Sequence, residues 1–349
     1  MENQTPRVLV GMSGGLDSTY TVQKLLEAGH TVEGAVLIFS EHTDVEKARI
    51  SASELGIPLR TVDCQKQFSD TVIANFISEY TSGRTPNPCA VCNRRCKIEM
   101  LYNECVKGGF DAFATGHYCK VVSENGRFFV QRARDLKKDQ SYMLYALTQE
   151  QLSRLITPLS DILKSEVREK SAELKFSSAN DSESMDICFI PSGKYADFLE
   201  SHGATSKPGN FVTPDGKVIA PHKGIMHYTV GQRKNLGIAL GYRSFITKID
   251  AESGDITLDR VEACHVRGFT VKDLNFQKIS PPAHGEAWNG AVKIRYAATP
   301  ALCNVEFTKD SCVVYFTDAN PLPAPGQAAV FYDGDDLIFG GIIDSIIYN

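Results

Sequence analysis

The sequence has no run of about 18 apolar residues, the length that a helix needs to span a bilayer. No basic, apolar leader precedes the first strand-like segment, so we expect a cytoplasmic protein without a membrane partner. Internal repeats and low-complexity segments are also missing. At 349 residues the chain exceeds a usual single domain, and it can bury enough surface to fold without disulfides or a structural metal.

Cysteine, in contrast, is plentiful, with ten residues. A disulfide framework is not expected in a reducing compartment, which leaves buried apolar thiols, metal ligands and reactive thiols. Six cysteines stand alone in their segments and are expected to be buried structural thiols: Cys64, Cys105, Cys119, Cys264, Cys303 and Cys312. The other four are Cys89, Cys92 and Cys96 in TPNPCAVCNRRCK, and Cys188 in DICFI.

Charge is unevenly distributed along the chain. The net charge is -5, but residues 81–98, 127–138 and 222–234 together hold twelve of the 37 lysines and arginines and one of the 42 acids. Basic segments on an otherwise acidic chain are typical of a protein that binds a polyanion at one face. Solvated basic loops are the alternative.

The N-terminal part alternates strands with helices, which predicts a parallel sheet covered by helices on both faces. Expected strands are residues 7–12, 31–39, 59–63 and 112–115, and expected helices are 18–28, 43–55, 68–80 and 95–107. Residues 81–93, rich in Pro, Gly and Asn, are expected to form a loop.

From about residue 207 the pattern changes to short alternating strands separated by Gly, Pro and Asp. This pattern predicts two small all-β units with a boundary within residues 266–273. We therefore expect three domains, at residues 1–200, 201–268 and 269–349.

The segment VLVGMSGGLDSTYTV places a glycine-rich turn between the first strand and the first helix. Its backbone N–H groups, its hydroxyls and the helix N-terminus are suited to binding phosphate oxygens. A Walker A loop is excluded, because no lysine stands at the position which that motif requires. The pattern SGGxDS resembles the PP-loop of ATP pyrophosphatases, which implies chemistry at the α-phosphate of ATP and an adenylated substrate.

Seven further segments resemble the bacterial tRNA-specific 2-thiouridylase family: GRTPNPCAVCNRRCK, FATGHYCKV, KKDQSYMLYALT, SMDICFIP, HYTVGQRKNLGI, VKIRY and PGQAAVFY. The resemblance implies an α/β PP-loop domain, a small β-rich central domain and a C-terminal β-barrel. It also implies a sulfurtransferase that uses ATP to thiolate the wobble uridine of lysine, glutamate and glutamine tRNAs. Mg²⁺ is expected on chemical grounds, because the charge that develops on the phosphates needs compensation. A sulfur donor protein or sulfide would be a partner, and DNA would not.

The resemblance also assigns roles to individual positions. Cys188 matches the cysteine that carries a persulfide, and Cys92 matches the nucleophile, whose thiolate we expect Arg94, Arg95 and a helix start to stabilise. Expected ATP contacts are Gly11, Met12, Ser13, Gly14, Gly15, Leu16, Asp17, Ser18, Leu37 and Gly116. Expected tRNA contacts are Asn87, Pro88, Cys89, His117, Lys138, Asp139, Gln140, Arg295, Tyr296 and Gln327.

One position departs from the family pattern, because Cys89 stands where an aspartate is usual. Cys89, Cys92 and Cys188 therefore also resemble the three cysteines that hold a [4Fe–4S] cluster in iron–sulfur tRNA thiolases. A zinc site with Cys96 as the fourth ligand, or inert thiols, are further alternatives.

Several assignments have a purely structural alternative. His117 fits a hydrogen-bonded histidine at a strand end, residues 138–140 fit a solvated turn, and Arg295 with Tyr296 fits the core and rim of a barrel. Two other functions also stay open: a PP-loop ligase acting on a small molecule, and an RNA-binding module without catalysis.

Overall fold

The computed structural model describes residues 5–181, 187–190, 194–260, 266–318 and 321–348. The N-terminal strands are β1 (Arg7–Gly11), β2 (Thr31–Ile38), β3 (Leu59–Asp63), β4 (Ala112–Ala114), β5 (Cys119–Glu124), β6 (Arg127–Arg132) and β7 (Leu155–Ile156). The helices are α1 (Leu16–Glu27), α2 (Val45–Glu54), α3 (Gln65–Phe68), α4 (Ala74–Thr81), α5 (Pro88–Cys92), α6 (Ile98–Lys107), α7 (Gln149–Arg154), α8 (Lys164–Glu173) and α9 (Tyr195–Ser201).

The first sheet has the strand order β3-β2-β1-β4-β7, and all of its pairings are parallel. The central strand β1 carries Val8, Leu9 and Val10, which are fully buried because helices cover both faces of a parallel sheet. This confirms the expected α/β class. The carboxyl ends of β1, β2 and β4 lie along one edge of the sheet, where ligands bind in such folds.

The segment between α4 and α6 differs from the expectation of a loop over residues 81–93. Helix α5 begins at Pro88, continues through a π-helical segment, Asn93–Lys97, and joins α6. The Asn87 side chain caps the helix by accepting the Ala90 N–H at 3.1 Å, and proline is favoured in the first turn. The Asn-Pro pair is therefore a helix start, which composition alone had concealed.

Strands β5 and β6 form a hairpin that the sequence patterns had not suggested. The hairpin joins the C-terminal sheet through Gln131, which pairs with Asp336. Arg127 supports this junction, because its guanidinium donates to the backbone oxygens of Gln277 at 2.8 Å and Phe276 at 2.9 Å. The N-terminal unit and the C-terminal barrel are therefore connected by backbone and side-chain hydrogen bonds.

The remaining strands are β8 (Gly209–Val212), β9 (Val218–His222), β10 (Phe245–Ile249), β11 (Ile256–Asp259), β12 (Val266–Phe276), β13 (Ala287–Lys293), β14 (Ala301–Phe307), β15 (Ser311–Phe316), β16 (Ala328–Asp333) and β17 (Asp336–Tyr348). Strands β8 to β11 form a small central sheet. Strands β12 to β17 close into a barrel, because β12 pairs with both β15 and β17. Phe331 and Phe339, both fully buried, stack at 4.1 Å inside it. The expected β-rich central domain and C-terminal barrel are confirmed. No helix in the described ranges is long and apolar enough to cross a membrane.

Candidate functional site

A cleft of about 420 Å³ opens at the carboxyl edge of the parallel sheet. Seven of the expected ATP contacts line it: Gly11, Met12, Ser13, Asp17, Ser18, Leu37 and Gly116. His117, Gln140 and Cys188 line the same cleft, as does Lys97 of the cysteine-bearing helix. The tertiary structure thus brings residues of the glycine loop, two expected tRNA contacts and one of the candidate catalytic cysteines to a single place.

The glycine loop has the geometry of an anion site. Gly14 has a φ of 74°, and a Cβ there would lie 2.4 Å from the Lys47 carbonyl carbon, so only glycine fits. Gly15 is the N-cap of α1 and has no side chain to accept the first-turn N–H groups, which stay available to a ligand. The Ser13 and Ser18 hydroxyls lie 3.3 Å apart beside them. This cluster of donors suits phosphate oxygens.

The continuous helical run of residues 88–107 is called the cysteine helix below. The segment that directly precedes it is attached to the barrel. Gln327 donates from Nε2 to the backbone oxygens of Thr85 at 3.0 Å and Pro86 at 2.8 Å. The Thr85 N–H in turn donates to the Pro325 oxygen at 2.7 Å. Gln327 is therefore placed as an anchor of the segment that leads into Asn87, Pro88 and Cys89. Asn87 and Pro88 are buried, whereas Cys89 reaches the surface.

Cys92 has an environment that favours the thiolate. A hydrogen bond from the Cys96 thiol, and then the charge and backbone N–H of Lys97, lower the pKa of Cys92 to about 7 against the opposing effect of burial. Hydrogen bonds with Cys64 and Cys92, together with burial, raise the pKa of Cys96, which remains a neutral donor. The expected agents, Arg94 and Arg95, instead line a separate pocket beside Tyr145.

Cys188 reaches the cleft because the residue after it is anchored in an aromatic cluster. Phe189 packs against Phe68 at 5.5 Å, Phe76 at 5.4 Å and Phe198 at 5.2 Å, all measured between ring centroids. Ile190 is also buried. These apolar contacts hold the exposed Cys188 thiol between partly buried neighbours. Asp186, which the sequence suggested would oppose activation of Cys188, lies outside the described residues.

The three candidate cysteines interact electrostatically but differ in acidity. Desolvation, followed by the charges of Cys92 and Cys89, raises the pKa of Cys188 to about 11. Desolvation also raises the pKa of Cys89, and the charge of Lys97 opposes that effect. At neutral pH the site therefore combines one partly ionised thiol, Cys92, with two protonated thiols.

The remaining expected tRNA contacts of the N-terminal unit have structural partners. His117 is buried, its Nδ1 lies 2.8 Å from the Thr115 hydroxyl, and desolvation lowers its pKa well below the usual value. Asp139 is 3% exposed and accepts hydrogen bonds from the backbone N–H groups of Ala133 and Ser141. Gln140 accepts the Tyr118 N–H at 3.0 Å. Lys138 is half-buried in the turn before them.

Two expected tRNA contacts of the barrel lie where it meets the other two units. Tyr296 is 39% exposed, and its ring centroid lies 6.2 Å from that of Tyr142. Desolvation, and then the charges of Asp139 and Cys89, raise the pKa of Tyr296. Arg295 donates to the Val230 oxygen at 3.0 Å and so also ties the barrel to the central domain.

The basic segments are only partly available to a polyanion. Arg84 bonds Glu79 at 2.8 Å, Arg132 lies 3.7 Å from Asp139, and Arg134 lies 3.5 Å from Glu166. These cations neutralise acids of the same chain. Arg94, Arg95 and Lys97 have no ion-pair partner in the described part of the chain, so the cations of the cysteine helix remain the clearest candidates for a polyanion contact.

Sequence reasoning missed three residues of the site: Lys97, Cys96 and Lys164. The sequence suggested no role for Lys97, although it lines the cleft and its charge lowers the pKa of all three cysteines. Cys96 was weighed only as a zinc ligand. Lys164 lies 2.5 Å from the Asp17 carboxylate although 147 residues separate them. Its only signal in the sequence is a positive charge at a helix start, where the helix dipole disfavours a cation.

The lone cysteines behave as expected where the structure describes them. Cys64, Cys105, Cys119, Cys303 and Cys312 are all buried, and Cys264 lies outside the described residues. No group of three His, Cys, Asp or Glu side chains within those residues is close enough to hold a metal ion.

Comparisons with known proteins agree with this architecture. Residues 6–192 match the family described as the tRNA methyl transferase HUP domain, residues 196–260 the tRNA methyl transferase PRC-barrel domain, and residues 266–343 the aminomethyltransferase beta-barrel domain. A tRNA-specific 2-thiouridylase MnmA of Amoebophilus asiaticus is 40% identical, with 97% of this chain and 95% of that protein covered. Proteins of the same name from Carboxydothermus hydrogenoformans (39%; 97% and 97% covered) and Acetivibrio thermocellus (38%; 97% and 99%) are similarly close.

Proposed function

The chain belongs to the tRNA-specific 2-thiouridylase family, and from that premise we propose that it adenylates the C2 oxygen of the wobble uridine of tRNA and replaces that oxygen with sulfur. The observation that carries the proposal is the cleft shared by the glycine loop and Cys188. Some matched domain descriptions mention methyl transfer, but the Cys188 thiol in this cleft and the lowered pKa of the Cys92 thiol support sulfur transfer instead.

The ATP half of the reaction follows from the loop. The donors around Ser13 and Ser18 would bind the β- and γ-phosphates, and Leu37 and Gly116 would flank the adenosine. Attack of the uracil C2 oxygen on the α-phosphorus forms the adenylate and releases pyrophosphate. Mg²⁺ would compensate the charge of the phosphates, and the Asp17 carboxylate in the cleft is a fitting oxygen ligand for it.

The sulfur half uses the difference in acidity between two thiols. Cys188 would carry a persulfide, and its terminal sulfur would attack uracil C2 and displace AMP. The Cys92 thiolate would then attack Cys188 Sγ, which breaks the S–S bond, leaves sulfur on the uracil and forms a Cys92–Cys188 disulfide. Alternatively, Cys92 attacks Cys188 Sγ first and releases hydrosulfide, which attacks C2. Either route needs an external thiol reductant to reset the disulfide.

The tRNA would bind at the surface next to Cys89. Tyr296 offers a half-exposed ring, and unpaired bases stack on such rings at a gain of roughly 1 to 3 kcal/mol. Asn87 and Pro88 would support this surface from below. His117 and Gln140, in the cleft, would contact the flipped nucleotide, and Lys138, Asp139, Arg295 and Gln327 would position the segments around it.

A [4Fe–4S] cluster on Cys89, Cys92 and Cys188 is the alternative sulfur route. Their mutual electrostatic effects support proximity, but the described side chains do not form a three-ligand group. The residues in this arrangement do not fit a cluster, and we derive no step through one. Anaerobic purification with iron and sulfide analysis tests this alternative: stoichiometric iron that is lost in Cys89→Ala would replace the persulfide route.

The proposed function is tested by reconstitution. Purified protein, ATP, Mg²⁺, a sulfur donor and unmodified lysine, glutamate or glutamine tRNA should yield 2-thiouridine, AMP and pyrophosphate, measured by mass spectrometry of tRNA nucleosides and by nucleotide chromatography. Cys92→Ser and Cys188→Ser should reduce the 2-thiouridine yield by about 10³-fold or more, because each removes a nucleophile.

Cys105→Ala is the matched control, since Cys105 is a buried thiol on the same helical run and should be dispensable for the chemistry. Absence of 2-thiouridine in both aerobic and anaerobic preparations would overturn the proposal. A rate of AMP formation from ATP that is the same with and without tRNA would favour a small-molecule ligase. Binding of tRNA with neither product would favour an RNA-binding module.

A further inference from the structure

The phosphate loop contains an acid but no cation of its own. Asp17 lies in the first turn of α1 and lines the cleft, and the motif lacks the lysine of a Walker A loop. An unbalanced carboxylate there would repel ATP phosphates, and the repulsion is strong where walls of protein reduce screening. A neighbouring positive charge is therefore needed for tight binding.

Lys164 supplies a positive charge at this position. Its Nζ lies 2.5 Å from Asp17 Oδ1, and the Lys164 residue is only 9% exposed. The Tyr118 hydroxyl donates to the same oxygen at 2.8 Å. Asp17 Oδ2 has no hydrogen-bond partner among the described residues, so one carboxylate oxygen is held and the other stays available at the cleft.

The position of Lys164 in its own helix points to a tertiary role. It is the first residue of α8, where the positive end of the helix dipole disfavours a cation by about 0.3 to 1 kcal/mol. Other residues cap this helix: Glu166 accepts the Leu163 N–H at 2.7 Å, and Asp135 accepts the Lys164 N–H at 3.0 Å. The lysine side chain is thus unnecessary for α8 and is locally unfavourable, as is typical of functional positions.

We infer that Lys164 is the positioning residue of the phosphate site, which balances the charge of Asp17 and, with Tyr118, fixes the orientation of its carboxylate. The inference rests on the proposed function only in that ATP is the ligand. It gives the loop a cation that the sequence motif does not contain. Lys164 acts through Asp17 rather than by direct contact with the phosphates.

Calorimetric titration with ATP in EDTA isolates this effect, since no divalent ion then takes part. Lys164→Met keeps the aliphatic stem and should raise the Kd for ATP roughly 10- to 100-fold, whereas Lys164→Arg should stay within a few-fold of the parent. Lys170→Met, an exposed lysine of the same helix, is the matched control and should change nothing. The affinity for tRNA should also be unchanged.

A second substitution separates charge balance from a structural role. If Lys164 balances Asp17, Asp17→Asn should recover most of the ATP affinity lost in Lys164→Met, because it removes the unbalanced charge. Additive losses in the double variant, or a Kd unchanged by Lys164→Met, would overturn the inference. If Lys164→Met lowers the thermal unfolding temperature, Lys164→Gln takes its place in this double-mutant comparison. No ATP binding by the parent protein would instead refute the proposed function.

Discussion

Cys92 owes its acidity to neighbours on its own helix. Cys96 lies four residues later, where helical geometry brings side chains together, and Lys97 adds a charge on the side of the cleft. Cys96 is itself held by Cys64, whose Sγ lies 3.6 Å from the Val62 oxygen. Cys92, the proposed nucleophile, is therefore the last of three buried thiols, Cys64, Cys96 and Cys92, that hydrogen bonds connect.

Removal of the Cys96 thiol should raise the pKa of Cys92. A thiolate is populated above its pKa, so Cys92 in the parent protein should react with an alkylating reagent with a midpoint at about pH 7. In Cys96→Ala the midpoint should move to higher pH, and the reaction at pH 7 should slow. Site-resolved mass spectrometry of the peptide that contains Cys92, over a range of pH, measures the shift.

Cys96→Ser serves as the control, since its hydroxyl keeps a donor at the same place and should leave the midpoint close to that of the parent. An identical pH profile for Cys96→Ala and the parent would contradict the role of Cys96. A slower rate at every pH without a shift in the midpoint would indicate a change in access to Cys92 instead.

The start of the cysteine helix could not be predicted from amino-acid composition. Residues 81–93 contain the residue types of a loop, yet the last part of this segment is the first turn of a helix. The π-helical segment Asn93–Lys97 then offsets the following turn, and such segments are frequent at functional sites. Gln67 donates from Nε2 to the Arg95 oxygen at 2.8 Å and so satisfies a carbonyl of the π segment.

Loss of the helix cap should destabilise this element selectively. Asn87→Ala removes the acceptor for the Ala90 N–H and should lower the free energy of unfolding by about 1 kcal/mol. Asn87→Asp keeps an acceptor and should stay close to the parent. Chemical denaturation gives the free energy, and a parent-like value for Asn87→Ala would show that other contacts hold the helix start.

At the scale of the whole molecule, the barrel holds residues 84–86, the segment that leads into the helix of Cys89 and Cys92. Arg84 donates to the backbone oxygens of Ile343 and Asp344 on β17, both at 3.0 Å, while it pairs with Glu79 on α4. Gln327 anchors the following two residues. In the proposed function the N-terminal unit carries the chemistry, and the hydrogen bonds of Arg84 and Gln327 fix the segment that leads to Cys89 and Cys92 against the barrel.

Arg84→Ala should loosen this attachment. It leaves two carbonyls and one carboxylate without their donor, which should cost about 1 to 3 kcal/mol of stability and accelerate amide exchange in residues 85–92. ATP affinity should be unaffected, because the glycine loop lies elsewhere. Hydrogen exchange with mass spectrometry tests the local effect.

Lys272→Ala is the control for Arg84→Ala, since it removes a more exposed ion pair to the same Asp344, and surface pairs contribute about 0 to 1 kcal/mol. Equal exchange rates in residues 85–92 for Arg84→Ala and Lys272→Ala would contradict the role of Arg84 as an attachment point.

Local patterns in the sequence determined the parallel sheet, the glycine loop and the two β-rich units. Each depends on residues that are close in the chain, such as the buried run of β1 followed by Gly14 and Gly15. Boundaries at residues 200 and 268 stay predictions, as do the roles of the individual site residues. The motifs also identified Cys92 and Cys188, because each lies in a short segment shared with the family.

Only the tertiary structure decided which charges act on those motifs. Lys97 lines the cleft and acts on Cys92, whereas Arg94 and Arg95 line another pocket, because the helix begins at Pro88 and its turns set the direction of each side chain. Lys164 reaches Asp17 across 147 residues, since helix packing, not sequence spacing, sets that distance. Electrostatic effects depend on separation in space and on burial, and neither quantity can be read from the order of residues along a chain.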